Sequence, residues 1–422
     1  MRHPWQGLGS LPRGVWILSL TTLINRLGTM ALPFLVLYLT RSRGFTAGRA
    51  GLVMAVYGLT AVIAGPTAGR LSDRIGAVRV LQASLLFSGL VVLVYPLARS
   101  PAAIFALTIA WAFTNEAFRP ANLSMVSDLA GPDQRRTAFA LVRLAINLGM
   151  SVGPAAGGFL AMVSFPAIFI VNGAASILAC VVLTLLAGWL RRPGAPERPV
   201  PDTRTDAGTG PWSDFTDRRL LYFLAALLPV LMVFFQHEAA MSLYFVRDLG
   251  QLESSFGLLF TINTVLIIFL EVPLNLRMAA WPYPRTLALG AFLVGAGFGG
   301  MALASGFWSV ATTVVIWTFG EMVLLPASAG YAAEIAPADR RGAYMGLYTM
   351  SFSAAFALGP WLGTATLDRS GPAVLWGAAF LLGCLSALMM GRVRSASRIR
   401  KVDVPQADTG GGPAAPSRIP SS

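Results

Sequence analysis

Long apolar segments recur along the whole chain, and they restrict what it can fold into more than any other feature. A helix needs about 20 apolar residues to cross the roughly 30 Å hydrocarbon core of a bilayer. Only 12% of the residues are charged, against about 25% in an average soluble domain, so the polar surface that a soluble enzyme needs is missing. We predict an all-α membrane protein with twelve transmembrane helices, at residues 14–40, 48–71, 78–98, 101–127, 137–162, 165–189, 219–246, 254–276, 286–305, 307–333, 342–367 and 372–391.

The distribution of Lys and Arg predicts the orientation of these helices. If the N-terminus is cytoplasmic, 23 of the 32 basic residues lie in cytoplasmic segments and six lie in external ones. Cytoplasmic loops of membrane proteins carry such an excess, so we expect both termini in the cytoplasm. The same asymmetry accounts for the formal net charge of +13 without a nucleic acid partner.

A Pro-, Gly- and charge-rich segment divides the predicted helices into two groups of six. Residues recur at an offset of 206 positions without a gap, which indicates two pseudo-symmetric six-helix bundles with parallel orientation. In such proteins substrate binds between the halves near the membrane midplane. The matching pairs include Tyr38 with Tyr244, Trp111 with Trp317, Pro120 with Pro326, Asp128 with Glu334, Asp133 with Asp339, Arg135 with Arg341, Gly153-Pro154 with Gly359-Pro360, and Gly157 with Gly363.

The domain boundaries follow from this division. We expect an N-terminal six-helix bundle at residues 1–189 and a C-terminal one at residues 219–393. A flexible cytoplasmic linker at residues 190–218 joins them, and a disordered cytoplasmic tail occupies residues 394–422.

The connection between the second and third predicted helices, GRLSDRIGAVRV, carries a charged motif. It resembles the signature G-x-L-x-D-R-x-G-x-x-R of the major facilitator superfamily, and it matches at Gly69, Leu71, Asp73, Arg74, Gly76 and Arg79. In that family this loop favours the outward-facing state, so the resemblance implies a conformational latch here; an ordinary charged turn is the alternative. The equivalent segment of the second half, residues 275–285, has lost the Asp and both Gly residues, so a latch there is degenerate.

The fifth predicted helix contains GMSVGPAAGG. It is similar to the antiporter motif G-x-x-x-G-P-x-x-G-G of the same family, and it matches at Gly149, Gly153, Pro154, Gly157 and Gly158. The resemblance implies exchange of substrate for protons. Small residues also let membrane helices pack closely, and a packing seam is the alternative interpretation. The partial copy in the second half supports some contribution from packing.

Ionisable residues inside the predicted helices form the candidate site. A charge at the bilayer centre costs about 2.5–3.5 kcal/mol on insertion scales, so such residues are functional candidates by default. Arg143, near the cytoplasmic start of the fifth helix, can extend its side chain to the membrane surface. The candidates are Arg26, Glu116, Arg119, His237, Glu238, Glu271 and Glu321.

Glu321 is the first candidate for carrying a proton, with Glu238 and Glu116 after it. No basic residue lies within four positions of Glu321, and a carboxyl group without a cationic partner in the hydrocarbon can take up a proton. A structural hydrogen bond is the alternative role of Glu321, and an ion pair within one helix is the alternative for Glu116 and Arg119. The candidates for substrate binding or charge pairing are Arg26, Arg119, His237 and Glu271.

The resemblance covers the whole chain and implies a major facilitator superfamily fold of the bacterial drug:proton antiporter type. We expect a proton-coupled antiporter, not an enzyme, that exports small lipophilic or drug-like compounds by rocker-switch alternating access. Its location is the bacterial plasma (inner) membrane, and its partners are substrate, protons and lipid, with the protein acting as a monomer. We expect no cofactor and no metal, because the sequence has no G-x-x-x-x-G-K-[ST] phosphate loop and only two histidines.

Two other functions remain open at this point. A dedicated metabolite or organic-anion transporter, importing or exporting, would use Arg26 and Arg119 to bind its substrate. A membrane sensor or lipid-handling protein on the same fold would not transport at all. The preserved loop motif and the intramembrane carboxyl groups favour transport over the second of these.

Overall fold

The computed structural model describes residues 11–130, 134–190, 217–278, 280–337 and 341–393. These residues form helices and short connections, without a strand in any of the described ranges. The helices are α1 (Arg13–Leu27), α2 (Ala31–Arg43), α3 (Ala47–Ile75), α4 (Ala77–Val94), α5 (Pro101–Glu116), α6 (Phe118–Leu129), α7 (Arg135–Val163), α8 (Phe165–Leu185), α9 (Arg218–Phe234), α10 (Ala240–Leu243), α11 (Glu253–Met278), α12 (Tyr283–Gly300), α13 (Phe307–Ile335), α14 (Arg341–Ser370) and α15 (Pro372–Gly391).

All twelve predicted segments are helical, and ten helical segments of the described chain are long and apolar enough to cross a membrane. The two predicted spans outside this group are residues 101–127 and 342–367. The first is divided between α5 and α6 at Ala117, which leaves α5 with 16 residues. The second corresponds to α14, whose Gly, Ser, Thr and Tyr content lowers its mean hydropathy. The predicted linker and tail lie almost wholly outside the described residues.

The first helix of each half is broken, whereas the sequence predicted continuous spans at residues 14–40 and 219–246. In the first half, α1 ends before Gly28, and the backbone N–H groups of Met30 and Ala31 donate to Asn172 Oδ1 at 3.4 and 3.1 Å. This side chain replaces the hydrogen bonds that a continuous helix would make. In the second half, a 3₁₀ turn at Phe235–Glu238 separates α9 from α10. Broken helices at corresponding positions of two repeats point to the binding site of a transporter.

The two halves, α1–α8 and α9–α15, share one large buried cluster, and each half also has a smaller cluster of its own. We call the end with the α2–α3 and α10–α11 connections the predicted outer face, and the opposite end the predicted inner face. The largest buried cluster contains residues of both halves, such as Phe34 and Phe256, whose rings pack edge to face at 5.6 Å. Towards the predicted inner face, each half has its own cluster, around Leu81 in the first and Leu220 in the second.

Candidate functional site

Glu116, the last residue of α5, is held by neutral hydrogen-bond donors. The Tyr57 hydroxyl of α3 donates to Glu116 Oε1 at 3.0 Å, and Asn115 Nδ2 donates to the same oxygen at 3.3 Å. Asn115 Nδ2 also lies 2.8 Å from the Tyr57 oxygen, so the three side chains form a closed network. Glu116 does not pair with Arg119 in the described structure. The turn at Ala117 separates α5 from α6, and Arg119 is exposed.

Arg26 lies beside this network at the end of α1. Its guanidinium interacts electrostatically with Glu116, Tyr57 and Arg119, and its Cζ lies 5.9 Å from the centre of the Phe118 ring. The Nε atom is buried, and no acceptor among the described residues lies within hydrogen-bond distance of it. Among the described residues, Arg26 and Glu116 do not approach within ion-pair distance.

His237 and Glu238 lie in the break of the seventh predicted span and contact each other. His237 Nδ1 lies 2.6 Å from the Phe234 carbonyl oxygen, which is only an acceptor, so Nδ1 carries a proton. Nε2 lies 3.2 Å from Glu238 Oε1, within ion-pair distance when the ring is protonated. Oε2 of Glu238 is buried without a partner in the described ranges. The His237 and Glu238 side chains therefore form a polar pair within the break.

Glu321 lies midway along α13 and faces α11. Asn263 Nδ2 donates to Glu321 Oε2 at 2.9 Å and approaches the Thr318 hydroxyl at 3.0 Å. No Lys, Arg or His of the described chain forms an ion pair with Glu321, although His237 is close enough to interact electrostatically. The carboxyl group is thus fixed in place by neutral partners.

A row of aromatic rings crosses the interface between the halves and connects the Glu116 network to the His237–Glu238 pair. The Tyr57 ring contacts Phe356 at 5.8 Å, Phe356 contacts Phe235 at 5.1 Å, and Phe235 stacks on His237 at 6.2 Å between ring centres. Phe235 and Phe356 are partly exposed. We call these four residues the aromatic row. It places the acid of one half and the His–Glu pair of the other at opposite ends of one apolar surface.

Glu271 does not belong to either cluster. It is 10% exposed and forms an ion pair with Arg143 of α7, whose side chain is 61% exposed. The sequence predicted that Arg143 extends to the membrane surface, and it did not identify this pair. A second ion pair between the halves joins Arg41 to Glu253 at the predicted outer face, and neither residue was among the candidates.

No hydrogen bond or ion pair joins the described side chains of the latch loop to the second half. Arg74 and Arg79 are exposed and have no ion pair in the part of the chain that the structure describes. The Asp73 side chain lies outside the described residues. Gly76 has a φ of 91° between α3 and α4, a conformation that other residues rarely adopt. Gly69 has open space around its Cα.

The antiporter-type motif forms two packing seams. A Cβ on Gly149, Gly153 or Gly157 would collide with the backbone or side chains of Arg26–Phe34, so this face of α7 holds the α1–α2 break. A Cβ on Gly158 would collide with the start of α11, and Pro154 faces Gly257 of the same helix. In the second half, Gly359 packs on the Met232 backbone in the same way. Every motif residue therefore has a packing role.

Several polar residues that organise the site were absent from the candidates. Tyr57, Asn115 and Asn263 position the two carboxyl groups, and Asn172 caps the broken helix. The available signal was an Asn or Tyr inside an apolar span, since such side chains bond across membrane helices. The described residues contain no group of three His, Cys, Asp or Glu side chains that could hold a metal ion.

Comparisons with known proteins agree with this architecture. The family model described as "Major Facilitator Superfamily" matches residues 18–251 and 237–417. A "Na(+), Li(+), K(+)/H(+) antiporter" of Planococcus maritimus is 22% identical over 78% of this chain and 84% of its own length. "Quinolone resistance protein NorA" of Staphylococcus aureus is 23% identical over 80% of this chain and 86% of its own.

Solved structures match as well. The crystal structure of a peptide transporter POT mutant in complex with alafosfalin has a TM-score of 0.76 and 19% identity, and the match covers 92% of this chain and 97% of the other. At this identity the match establishes the fold alone. The predicted fold class, an all-α membrane protein with two six-helix bundles, is confirmed.

Proposed function

Because the chain belongs to the major facilitator superfamily of secondary transporters, we propose that it is a proton-coupled antiporter that exports small lipophilic or drug-like compounds from the bacterial cytoplasm. The family consists of transporters, not enzymes, and its members act on small molecules. The similarity to a cation/proton antiporter and to a quinolone resistance protein supports the finer assignment.

Glu321 is the observation on which proton coupling rests. An ionised carboxyl group is unfavourable in the hydrocarbon unless a cation or several donors compensate it. The described structure gives Glu321 only a neutral amide donor, from Asn263. A proton compensates the charge instead, and its release requires a change of surroundings. Glu238, whose Oε1 lies 3.2 Å from His237 Nε2, is the second proton carrier in this proposal, and Glu116 is the third.

Alternating access supplies that change of surroundings. The largest buried cluster contains residues of both halves, whereas the clusters around Leu81 and Leu220 near the predicted inner face each belong to one half. In this proposal, the present conformation is therefore the one that opens towards the inner side. A rocking motion of one half against the other would close the inner side and open the outer one. In this cycle, the latch loop of Gly69, Asp73, Arg74, Gly76 and Arg79 contacts the second half only in the opposite state.

Proton flux in proteoliposomes tests the proposal. We expect a lipophilic compound on one side to drive proton movement in the opposite direction, reported by an internal pH dye. Glu321→Gln should abolish the coupled flux, because a neutral amide cannot exchange a proton. Glu334→Gln is the matched control, since Glu334 lies on the same helix but is exposed at its predicted inner end. Unchanged coupling in Glu321→Gln would refute the assignment.

A further inference from the structure

Arg26 forms no ion pair with an acid of the described chain, although Glu116 interacts with it electrostatically. Its Nε is buried without an acceptor among the described residues, and its Cζ makes a cation–π contact with the Phe118 ring. Glu116 uses its Oε1 to accept from Tyr57 and Asn115. Since Arg119 adds a second positive charge nearby, this region of the first half has an excess of positive charge.

The position of Arg26 is fixed by tight packing. Gly149 and Gly153 of α7 leave no space for a Cβ against the backbone of Arg26 and Leu27. The α1–α2 break directly follows, where Asn172 accepts from the N–H groups of Met30 and Ala31. The backbone that carries the guanidinium is therefore rigidly held, which reduces the ordering cost of binding a ligand.

A guanidinium in this setting selects for a particular chemical group. Its planar arrangement of N–H donors matches the two oxygens of a carboxylate, and the low-dielectric interior strengthens that interaction. Tyr57 interacts electrostatically with Arg26, and its ring begins the aromatic row, whose members Phe235 and Phe356 are partly exposed. An apolar ring can stack on these side chains while its carboxylate reaches the guanidinium.

We propose that the transported substrate is an aromatic carboxylate, with Arg26 binding the carboxylate and the aromatic row of Tyr57, Phe356, Phe235 and His237 binding the ring. This inference rests on the proposed function and names its substrate class. It also separates the two tasks of the site. The first half binds the anion, and the His237, Glu238 and Glu321 group of the second half binds the proton.

Calorimetric titration of the protein in nanodiscs tests this assignment, with heats from empty nanodiscs subtracted. The probes are 2-naphthoate, the neutral 2-naphthamide of the same shape, and the 2-naphthylmethylammonium cation. We expect naphthoate to bind about tenfold or more tightly than naphthamide. Arg26→Met should remove this preference, and Arg26→Lys should keep part of it. Arg49→Met is the matched control, because Arg49 is exposed at the start of α3.

The wild-type comparison decides the matter even if Arg26→Met fails to fold. Equal binding of naphthoate and naphthamide, tighter binding of the cation, or an unchanged preference in Arg26→Met would overturn the inference. Proton flux distinguishes this failure from failure of the proposed function. If the cation drives protons and naphthoate does not bind, the antiporter stands and the substrate class is wrong. If naphthoate binds and no compound moves protons, the substrate class stands and the antiporter is wrong.

Discussion

Gly51 and Gly257 lie 206 positions apart and make the same contact with the opposite half of the protein. A Cβ on Gly257 would collide with the Pro154 carbonyl oxygen and lie 2.8 Å from the Ala155 Cα. A Cβ on Gly51 would collide with the Thr364 hydroxyl oxygen, and it would lie 3.2 Å from the Pro360 carbonyl oxygen and 3.0 Å from the Trp361 Cα. Each glycine thus faces the proline of the repeated motif, and the two contacts close the predicted outer side.

Gly257→Ala should destabilise this closed conformation, because α7 and α11 would have to move apart. Overpacking of a tight interface costs about 1–3 kcal/mol, and we expect a lowered melting temperature together with slower transport. Gly65→Ala in α3 is the control, since a Cβ there has no atom within 4 Å. Equal melting temperatures of the two variants would show that the contact is not tight.

The ion pair between Arg143 and Glu271 should show measurable coupling across the interface. We expect a double-mutant cycle with Arg143→Met and Glu271→Gln to give about 1 kcal/mol, since the Arg143 side chain is 61% exposed and solvent screens the pair. The measurement is thermal or denaturant unfolding in detergent of the wild type, both single variants and the double variant. Additive effects of the two substitutions would argue against the pair.

Glu253→Gln should open the predicted outer side by removing the ion pair with Arg41. The measurement uses a Ser254→Cys reporter in a background without Cys180 and Cys384, labelled by a membrane-impermeant maleimide added outside. Ser254 is only 7% exposed when the halves meet, so we expect Glu253→Gln to make this labelling faster. Asp368→Asn is the control, since it breaks the pair with Arg247 inside the second half. Equal labelling of both variants would contradict a role of Glu253 in joining the halves.

Asp217, at the start of α9, should contribute stability that depends on pH. Partial burial opposes its ionisation, but hydrogen bonds from Tyr344, at 2.5 Å, and from the Arg219 backbone outweigh it and lower its pKa. The pKa of Asp217 is about 4 in the unfolded chain and lower in the folded protein, so its ionised form stabilises the fold at pH values above about 4. This contribution is lost as the pH falls through the pKa of the folded state. Tyr344→Phe should therefore cost about 0.5 kcal/mol at pH 7 and less in acid.

Unfolding midpoints at pH 7 and below pH 4 measure this difference. Tyr222→Phe is the matched control, because the Tyr222 hydroxyl donates to the Met389 carbonyl oxygen at 2.9 Å, which does not titrate. We expect its effect to stay constant over the same range. A constant effect of Tyr344→Phe would show that Asp217 is not the acceptor that matters.

Hydropathy is additive along the chain, which is why the sequence alone determined most of the architecture. Each span can be predicted from the apolar content of its own residues, and the 206-residue offset indicates the duplication. The loop and antiporter motifs indicate the family. The interruptions were not predicted. The break after Gly28 depends on Asn172, more than 140 positions away, and the turn at Ala117 carries no sequence signal that we recognised.

The sequence by itself predicted which ionisable residues lie within the apolar segments, and only the tertiary structure decided their partners. Arg143 and Glu271 are 128 positions apart, and Asn263 reaches Glu321 across 58. A transmembrane span is predicted from the summed hydropathy of consecutive residues. An ion pair or hydrogen bond between helices instead requires the two helices to lie at a particular distance and rotation. That arrangement depends on glycine and proline contacts between helices. A local motif such as GMSVGPAAGG indicates a packing surface but does not specify which helix packs on it. Arg26 was identified from one segment, but its lack of an acceptor became visible only in the packed bundle.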